Sequence, residues 1–78
     1  MDMEGRKKLA ARIARLRKRR GLTQTKLARV CGVHVLTVSK WERGVSKPNH
    51  HVMQLAPALH VSTFYLFTGR QEPQWAAS

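Results

Sequence analysis

The sequence has 78 residues and a formal net charge of +11, and its single cysteine, Cys31, excludes an internal disulfide. A chain of this length forms one small domain, which buries about 60% of the surface that its unfolded chain exposes and offers no deep catalytic cleft. No apolar run approaches the ~20 residues that span a bilayer, and the N-terminus is charged rather than signal-like. These features predict a soluble, cytoplasmic protein.

The excess of positive charge indicates a polyanionic partner. The chain carries 15 lysines and arginines, and Glu42 is the only acidic residue between Arg6 and Arg70. A surface that is merely solvated mixes both signs of charge, whereas a one-sided surface attracts phosphates and releases their counterions on binding. We therefore expect a nucleic acid as the partner, and an acidic membrane surface is the alternative.

The N-terminal part of the chain predicts a flexible arm over residues 1–5 and a first helix over about residues 6–20. Leu9, Ile13 and Leu16 recur at helical spacing and form an apolar stripe that faces inward. This stripe is narrow and lacks aromatic residues, whereas helices that lie on membranes need a bulkier apolar face. The pattern favours packing in a core and disfavours membrane binding.

The next segment predicts a short second helix followed by a tight turn. Thr23 suits the N-cap position, because its side chain can accept a hydrogen bond from an early backbone N–H group. Gly32 is the residue expected just after a helix end, where φ is positive. Between them, three residues at helical spacing give the helix one apolar face: Leu27, Ala28 and Cys31.

A third helix is predicted to begin at His34 or Val35 and to end near Gly44. Val38 and Trp41 stand three residues apart and mark its inner face. Helix, glycine-bearing turn and helix together form the unit that places a recognition helix in the major groove of DNA.

Two further helices are predicted towards the C-terminus. Asn49 is the expected cap of the fourth helix, and Pro57 should kink or end that helix, because proline lacks a backbone N–H and clashes with the preceding turn. Ser62 is the expected cap of the fifth helix. The inner face of the fourth helix is formed by Val52, Leu55, Ala56 and Leu59.

These segments resemble the phage repressor and Cro family of helix-turn-helix proteins, also called the xenobiotic-response-element family. The resemblance extends over about residues 9–69 and lies in the segments TQTKLARVCGV, SKWERG and LHVSTFYLFTG. It implies an all-α fold: a compact five-helix bundle of the phage-repressor DNA-binding type over residues 6–69, with helices 2 and 3 as the helix-turn-helix. Its jointly specific markers are Thr23-Gln24, Leu27-Ala28, Gly32, Trp41-Glu42, Val61-Ser62 and Gly69.

The third helix carries the residues expected to read bases. If Val38 and Trp41 face inward, the residues at 35, 36, 39 and 40 face outward. Val35 and Leu36 would then pack on thymine methyl groups, and Lys40 would reach guanine O6 and N7. The resemblance places the same three residues at bases and adds Thr37 and Ser39 as supporting contacts. In the alternative arrangement, Val35 and Leu36 are buried against a neighbouring loop.

A second set of residues is expected at DNA phosphates. Gln24 begins the second helix, where free N–H groups and the helix dipole favour a phosphate, and the resemblance assigns it that role. His34 stands where relatives carry a Ser or Thr cap; because histidine caps less well, we expect it to face a phosphate or to lie exposed. The remaining candidates for phosphate contacts are Thr23, Arg43, Lys47 and His51.

The remaining polar residues have structural or ordinary surface interpretations. The resemblance implies an ion pair between Glu42 and Arg17 that fixes the recognition helix to the first helix. His50 and His51 are adjacent, so they do not face each other on a helix, and no other ligand stands at metal-binding spacing. We expect no metal and no cofactor, and we expect Cys31 to lie in the core.

The fifth helix is more apolar than a small core can absorb. Phe64, Tyr65, Leu66 and Phe67 are consecutive, and one helix cannot bury all four of them inward. We expect part of this surface to contact a second copy, and the resemblance puts that interface at Val61, Thr63, Phe64 and Tyr65. In the alternative, Tyr65 and Phe67 cover Trp41 and the tail, and the protein is a monomer.

Together these features predict a sequence-specific regulator that binds double-stranded DNA. The expected form is a homodimeric repressor that occludes a promoter at a pseudo-palindromic operator and lies on the nucleoid when bound. Two alternatives remain: an antitoxin autorepressor whose tail, residues 70–78, binds a toxin protein through Trp75, and a non-specific basic nucleic-acid-binding protein. The tail is otherwise predicted to be disordered. An enzyme is not expected, because no acid–base pair, activated nucleophile or phosphate-cradling loop is present.

Overall fold

The computed structural model describes residues 3–71. These residues form five α-helices and no strand: α1, Met3–Arg19; α2, Gln24–Cys31; α3, Val35–Arg43; α4, Val52–Ala58; and α5, Thr63–Thr68. The predicted all-α fold with five helices is thereby confirmed. The tail from residue 72 onwards, including Trp75, lies outside the described residues.

The first helix starts earlier and ends slightly earlier than predicted. It begins at Met3, so the last three residues of the expected arm belong to the helix. It ends at Arg19, because Gly21 takes a left-handed φ of 71° and turns the chain. The N–H groups of Gly21 and Leu22 then bond the carbonyls of Lys18 and Arg17, at 2.9 and 3.1 Å. None of the helices over residues 3–71 combines the length and the hydropathy that a transmembrane span requires.

All five helices contribute to one apolar core. The predicted stripe of α1 is buried, as are the predicted inner faces of α2 and α3. Of the predicted inner face of α4, Val52 is only half-buried, whereas Leu55, Ala56 and the C-cap residue Leu59 are buried. The buried residues of this cluster are Leu9, Ile13, Leu16, Leu27, Ala28, Cys31, Val38, Trp41, Leu55, Ala56, Leu59 and Leu66.

The helix ends largely follow the predicted capping residues. Thr23 Oγ1 accepts from the Lys26 N–H at 3.0 Å, and Ser62 Oγ accepts from the Tyr65 N–H at 3.0 Å. Gly32 ends α2 with a φ of 71°, as its position predicts. These contacts satisfy backbone groups that the helix itself leaves without partners.

The start of α4 differs from the prediction. Asn49 is exposed and lies in a turn, and the N-cap residue is His51, which makes no side-chain capping bond. The reason is the turn at Pro48: this proline is fully buried, and its carbonyl accepts from the His51 N–H at 3.0 Å. The helix can therefore begin only at Val52.

The end of α4 follows the prediction made from Pro57. The helix continues for one residue beyond the proline, to Ala58, and then turns. The N–H of His60 bonds the Pro57 carbonyl at 3.0 Å, and the N–H of Val61 bonds the Ala56 carbonyl at 3.0 Å. This Schellman arrangement requires a left-handed residue after the helix, and His60 supplies it with a φ of 60°.

The contact between α1 and α5 predicts a difference between two glycine substitutions. Arg12 Nη1 donates to the Leu66 carbonyl at 2.8 Å, and a Cβ on Gly69 would lie 2.6 Å from Arg12 Nη2. Gly69→Ala should therefore displace this guanidinium in addition to straining its left-handed backbone. We expect it to lower the unfolding free energy by about 1–2 kcal/mol more than Gly21→Ala, in urea titrations followed by circular dichroism.

Gly21→Ala is the matched control. Gly21 has the same φ of 71° as Gly69, but a Cβ there would meet no atom within 4 Å. The control therefore measures backbone strain alone. Equal losses for the two variants would show that the Arg12 contact contributes nothing to stability.

Candidate nucleic-acid interface

The rotation of α3 about its axis is fixed by two buried side chains. Val38 and Trp41 lie in the core, at 0% and 3% exposure, and hold one side of α3 against α1 and α2. The helix is closed at its C-terminal end by Gly44, which takes a left-handed φ of 76°. The opposite side of α3 therefore faces away from the protein.

Leu36 and Lys40 lie on this outer side of α3. Leu36 is 61% exposed, and Lys40 is exposed one helical turn further along. Positions four residues apart on a helix are neighbours on one face, so the apolar side chain and the amine lie side by side. The alternative in which a loop buries Leu36 is wrong, because the side chain is exposed.

Val35 was predicted to face outward, but it lies half-buried against the core. It precedes Val38 by three residues, and this spacing puts it at the edge of the inward face. Thr37 and Ser39 are also half-buried. Ser39 Oγ accepts from Arg43 Nε at 3.1 Å, so this pair forms one unit on the flank of the helix.

His34 caps α3, although a histidine was expected to cap poorly. Its Nδ1 accepts from the Leu36 N–H at 3.1 Å, and the side chain is exposed. The backbone of His34 is extended, which allows the ring to fold back over the first turn. With Nδ1 as the acceptor of this bond, Nε2 is the ring nitrogen that can donate outward. Capping and phosphate binding are therefore compatible roles for this residue.

The N-terminus of α2 carries Thr23 and Gln24. Thr23 acts as the cap, and Gln24 is half-buried at the first helical position. Gln24 Nε2 donates to Glu42 Oε1 at 3.0 Å. An amide nitrogen has two N–H donors, so one of them still suits a phosphate.

Three further candidates lie at the C-terminal end of α3 and beyond it. Arg43 is exposed, and Lys47 is half-buried in the loop that follows. His51 is half-buried and packs on Trp41, with ring centroids 5.7 Å apart. The rigid indole thus positions the imidazole at the start of α4.

The expected ion pair between Arg17 and Glu42 is present and forms the centre of a larger network. Arg17 Nε donates to Glu42 Oε2 at 2.6 Å, and Arg17 Nη2 donates to Oε1 at 3.1 Å. Arg17 Nη1 also donates to the Leu22 carbonyl at 2.8 Å. Together with Gln24, this network joins α1, α2 and α3 at one point.

The network is largely removed from solvent, because the Arg17 and Glu42 side chains are only 11% and 7% exposed. Two-point, charge-assisted hydrogen bonds of this kind are stronger than exposed ion pairs. Glu42 is also the only acidic residue between Arg6 and Arg70. Its charge is used inside the domain, so the remaining cations of this segment have no acidic counterpart in it.

The other residues that could carry chemistry are the metal-ligand types and the single cysteine. Within residues 3–71, no group of three His, Cys, Asp or Glu side chains is arranged to hold a metal ion. Cys31 is a buried free cysteine, and burial raises the pKa of its thiol, which keeps it protonated. It packs as a small core residue.

The apolar block of α5 divides between the core and the surface. Leu66 is fully buried, whereas Phe64 and Phe67 are 40% and 37% exposed and share one face of the helix. Tyr65 is half-buried and packs against the core, as does Val61, and Thr63 is exposed. An apolar surface therefore remains on the outside of α5.

The sequence pattern did not reveal two of these contacts. Gln24 and Glu42 are 18 positions apart, and no local periodicity connects them. The capping bond of His34 depends on backbone angles that residue preference alone does not give. In both cases the only available signal was a polar residue at a helix terminus.

Comparison with known families supports the description of the fold. A family model described as "Helix-turn-helix" matches residues 13–66, from the middle of α1 to the buried Leu66 of α5. A comparison with curated proteins gave no significant match.

The network around Glu42 predicts strong coupling between two substitutions. Glu42→Ala leaves Arg17 with an uncompensated, poorly solvated charge, and we expect the unfolding free energy to fall by roughly 3 kcal/mol. In a domain of this size the melting temperature should then fall by more than about 10 °C. Calorimetry of the single variants Glu42→Ala and Arg17→Ala and of the double variant measures the coupling. Additive losses in the double variant would contradict a direct interaction.

Proposed function

Because the chain belongs to the phage repressor and Cro-type helix-turn-helix family of DNA-binding transcription regulators, we propose that it is a repressor that binds its operator as a homodimer. The observation that carries this proposal is the outer face of α3. There Leu36 and Lys40 are exposed side by side on a helix whose rotation is fixed by the core.

In this proposal α3 enters the major groove and reads base edges. Leu36 packs on a thymine methyl group, and Lys40 donates to guanine O6 and N7. Thr37 and Ser39 support these contacts from the flanks of the helix. Val35 contributes only through the part of its side chain that the core leaves exposed.

Phosphate contacts on both sides of α3 set the register of the domain on the duplex. Gln24 and Thr23 approach one strand with the N-terminus of α2, where backbone N–H groups favour an anion. The other proposed contacts surround α3 and come from His34, Arg43, Lys47 and His51. Since Arg17 and Gln24 hold Glu42 inside the domain, this surface carries no competing carboxylate from residues 5–71.

The proposed dimer interface lies at the start of α5 and is formed by Val61, Thr63, Phe64 and Tyr65. The exposure of Phe64 supports this proposal, because a second copy would remove that ring from water. A two-fold dimer would place two copies of α3 about 34 Å apart, one helical turn of DNA, on a pseudo-palindromic operator.

Repression would follow from occupancy. A dimer bound over a promoter excludes polymerase from the same DNA, and the protein would lie on the nucleoid while bound. The antitoxin alternative depends on Trp75, which lies outside the described residues. The non-specific alternative is supported by the charge alone, and it gives no reason for an exposed leucine beside Lys40.

Two lysine substitutions distinguish base reading from phosphate binding. Footprinting on the DNA upstream of the gene first defines the operator, and fluorescence anisotropy then measures affinity for operator and random duplexes at several salt concentrations. Lys40→Ala should cost roughly 1–3 kcal/mol on the operator and relax preference at one base pair. Lys47→Ala should weaken binding to both duplexes alike, and it should reduce the slope of log affinity against log salt concentration by about one.

Lys18→Ala provides the control for loss of charge, since Lys18 is exposed on α1 outside the proposed contacts. This variant should leave the preference for each base pair of the operator unchanged. If Lys40→Ala and Lys47→Ala behaved identically on both duplexes, the assignment of Lys40 to a base would be wrong.

A substitution on α5 tests the dimer. Phe64→Ser removes an exposed ring from the proposed interface, and equilibrium sedimentation should show a shift from dimer to monomer. Met53→Ser is the matched control, because Met53 is 75% exposed on α4 and lies outside the interface. If sedimentation of the wild-type protein with its operator showed one protein copy per operator, the proposed dimer would be wrong.

A further inference from the structure

A cleft lies between the C-terminal end of α1 and the turn that joins α4 to α5. It has a volume of about 420 Å³, which is within the range of small-molecule sites. Arg19, Arg20 and His60 line it, together with the apolar side chains of Leu16 and Leu59. None of these residues belongs to the proposed DNA contacts.

The two arginines of the cleft have no acidic partner among residues 5–71. Glu42 is the only acid in that segment, and it is already bound by Arg17 and Gln24. Nor are the guanidinium groups needed to cap α1. Its last carbonyls accept backbone N–H groups, including Arg20 N–H to Leu16 at 3.0 Å and Gly21 N–H to Lys18 at 2.9 Å. No carboxylate of residues 5–71 therefore neutralises the positive charge of the cleft.

The backbone at His60 is unusual for this chain. The other left-handed residues among those described are all glycines, at positions 21, 32, 44 and 69, whereas His60 carries a side chain at a φ of 60°. Glycine adopts this conformation without the steric strain that a Cβ introduces. The strained conformation holds the imidazole at Arg20, with His60 Nδ1 2.6 Å from Arg20 Nη1. Strain of this kind concentrates at functional sites.

We propose that this cleft binds a small organic anion, a molecule with a phosphate or carboxylate group on an apolar body. The guanidinium groups of Arg19 and Arg20 match such a group in charge and in hydrogen-bond donors. Ser62 and Tyr65 add hydroxyl-bearing side chains to the lining. Leu16, Leu59 and Val61 form the apolar part of the lining, against which the body of the ligand would pack. Such a site goes beyond DNA binding.

Titration of the ¹⁵N-labelled full chain, followed by NMR, tests this assignment. The probes are phenyl phosphate, phenylacetate and the neutral control benzyl alcohol. We expect saturable shifts at the amides of Arg20, His60 and Val61 with at least one of the two anions, and the tighter anion identifies the head group. No saturable shift with either anion, or equal shifts with benzyl alcohol, would overturn the proposal.

Charge variants then distinguish a defined site from diffuse attraction. Arg20→Gln should weaken binding of the tighter probe by about tenfold or more, the loss expected for a charged hydrogen bond. Lys18→Gln removes one positive charge from the last turn of α1, two residues before Arg20, but lies outside the cleft, so its effect should stay within about twofold. Equal losses in the two variants would overturn the proposal.

His60→Gly tests the cleft with a variant that relieves strain. It removes the imidazole and lets the backbone adopt a φ of 60° without a Cβ. We expect a higher melting temperature and weaker binding of the probe, because stability and function are opposed at this residue. A variant that melts higher and still binds the probe as tightly as the wild type would show that His60 has no part in a site.

Discussion

The carboxylate of Glu42 is the contact on which the arrangement of the DNA-binding helices depends. It receives two hydrogen bonds from Arg17 and one from Gln24, so a single group joins three helices. Arg17 extends the connection to the Leu22 carbonyl, in the segment between α1 and α2. Because the pair is largely buried, these bonds are directional and little weakened by solvent. The network therefore ties α1 to the helix-turn-helix that α2 and α3 form.

Much of the fold was predictable because it follows from local rules. Apolar spacing gave the inward faces of α1, α2 and α3, and small polar residues or glycines marked most helix ends. The orientation of α3 followed from Val38 and Trp41, which left Leu36 and Lys40 outside. Each of these features depends on residues within one or two helical turns, and the local sequence contains that information.

The structure differs from the sequence-based predictions where contacts between distant segments decide the geometry. Val35 was placed outside from its position in the sequence, yet the core reaches it at the edge of α3. Asn49 has the chemistry of a cap, but the buried Pro48 determines where α4 begins. Gln24 meets Glu42 because α2 packs against α3. The periodic pattern of the sequence does not reveal this packing. Tertiary packing overrode residue preference at each of these places.

His60 is a residue at which the stability of this small domain and the proposed ligand site are opposed. Among residues 3–71, the four other left-handed positions carry glycine, whereas the position beside Arg20 carries a histidine. In addition, the cleft beside it shares Val61 and Tyr65 with the proposed dimer interface. An occupied cleft would thus lie against the surface through which two copies are proposed to meet. Any ligand there would be energetically linked to assembly, and through assembly to affinity for DNA.

The excess of positive charge destabilises the free folded domain but strengthens its binding to DNA. Free in solution, the cations of this chain repel one another, with 15 lysines and arginines against 4 acidic residues. Added electrolyte screens that repulsion and favours the compact chain, whereas the same electrolyte competes for the phosphates of a duplex. For the free protein, a rise in ionic strength therefore weakens the repulsion that opposes folding, and the same rise weakens its binding to DNA.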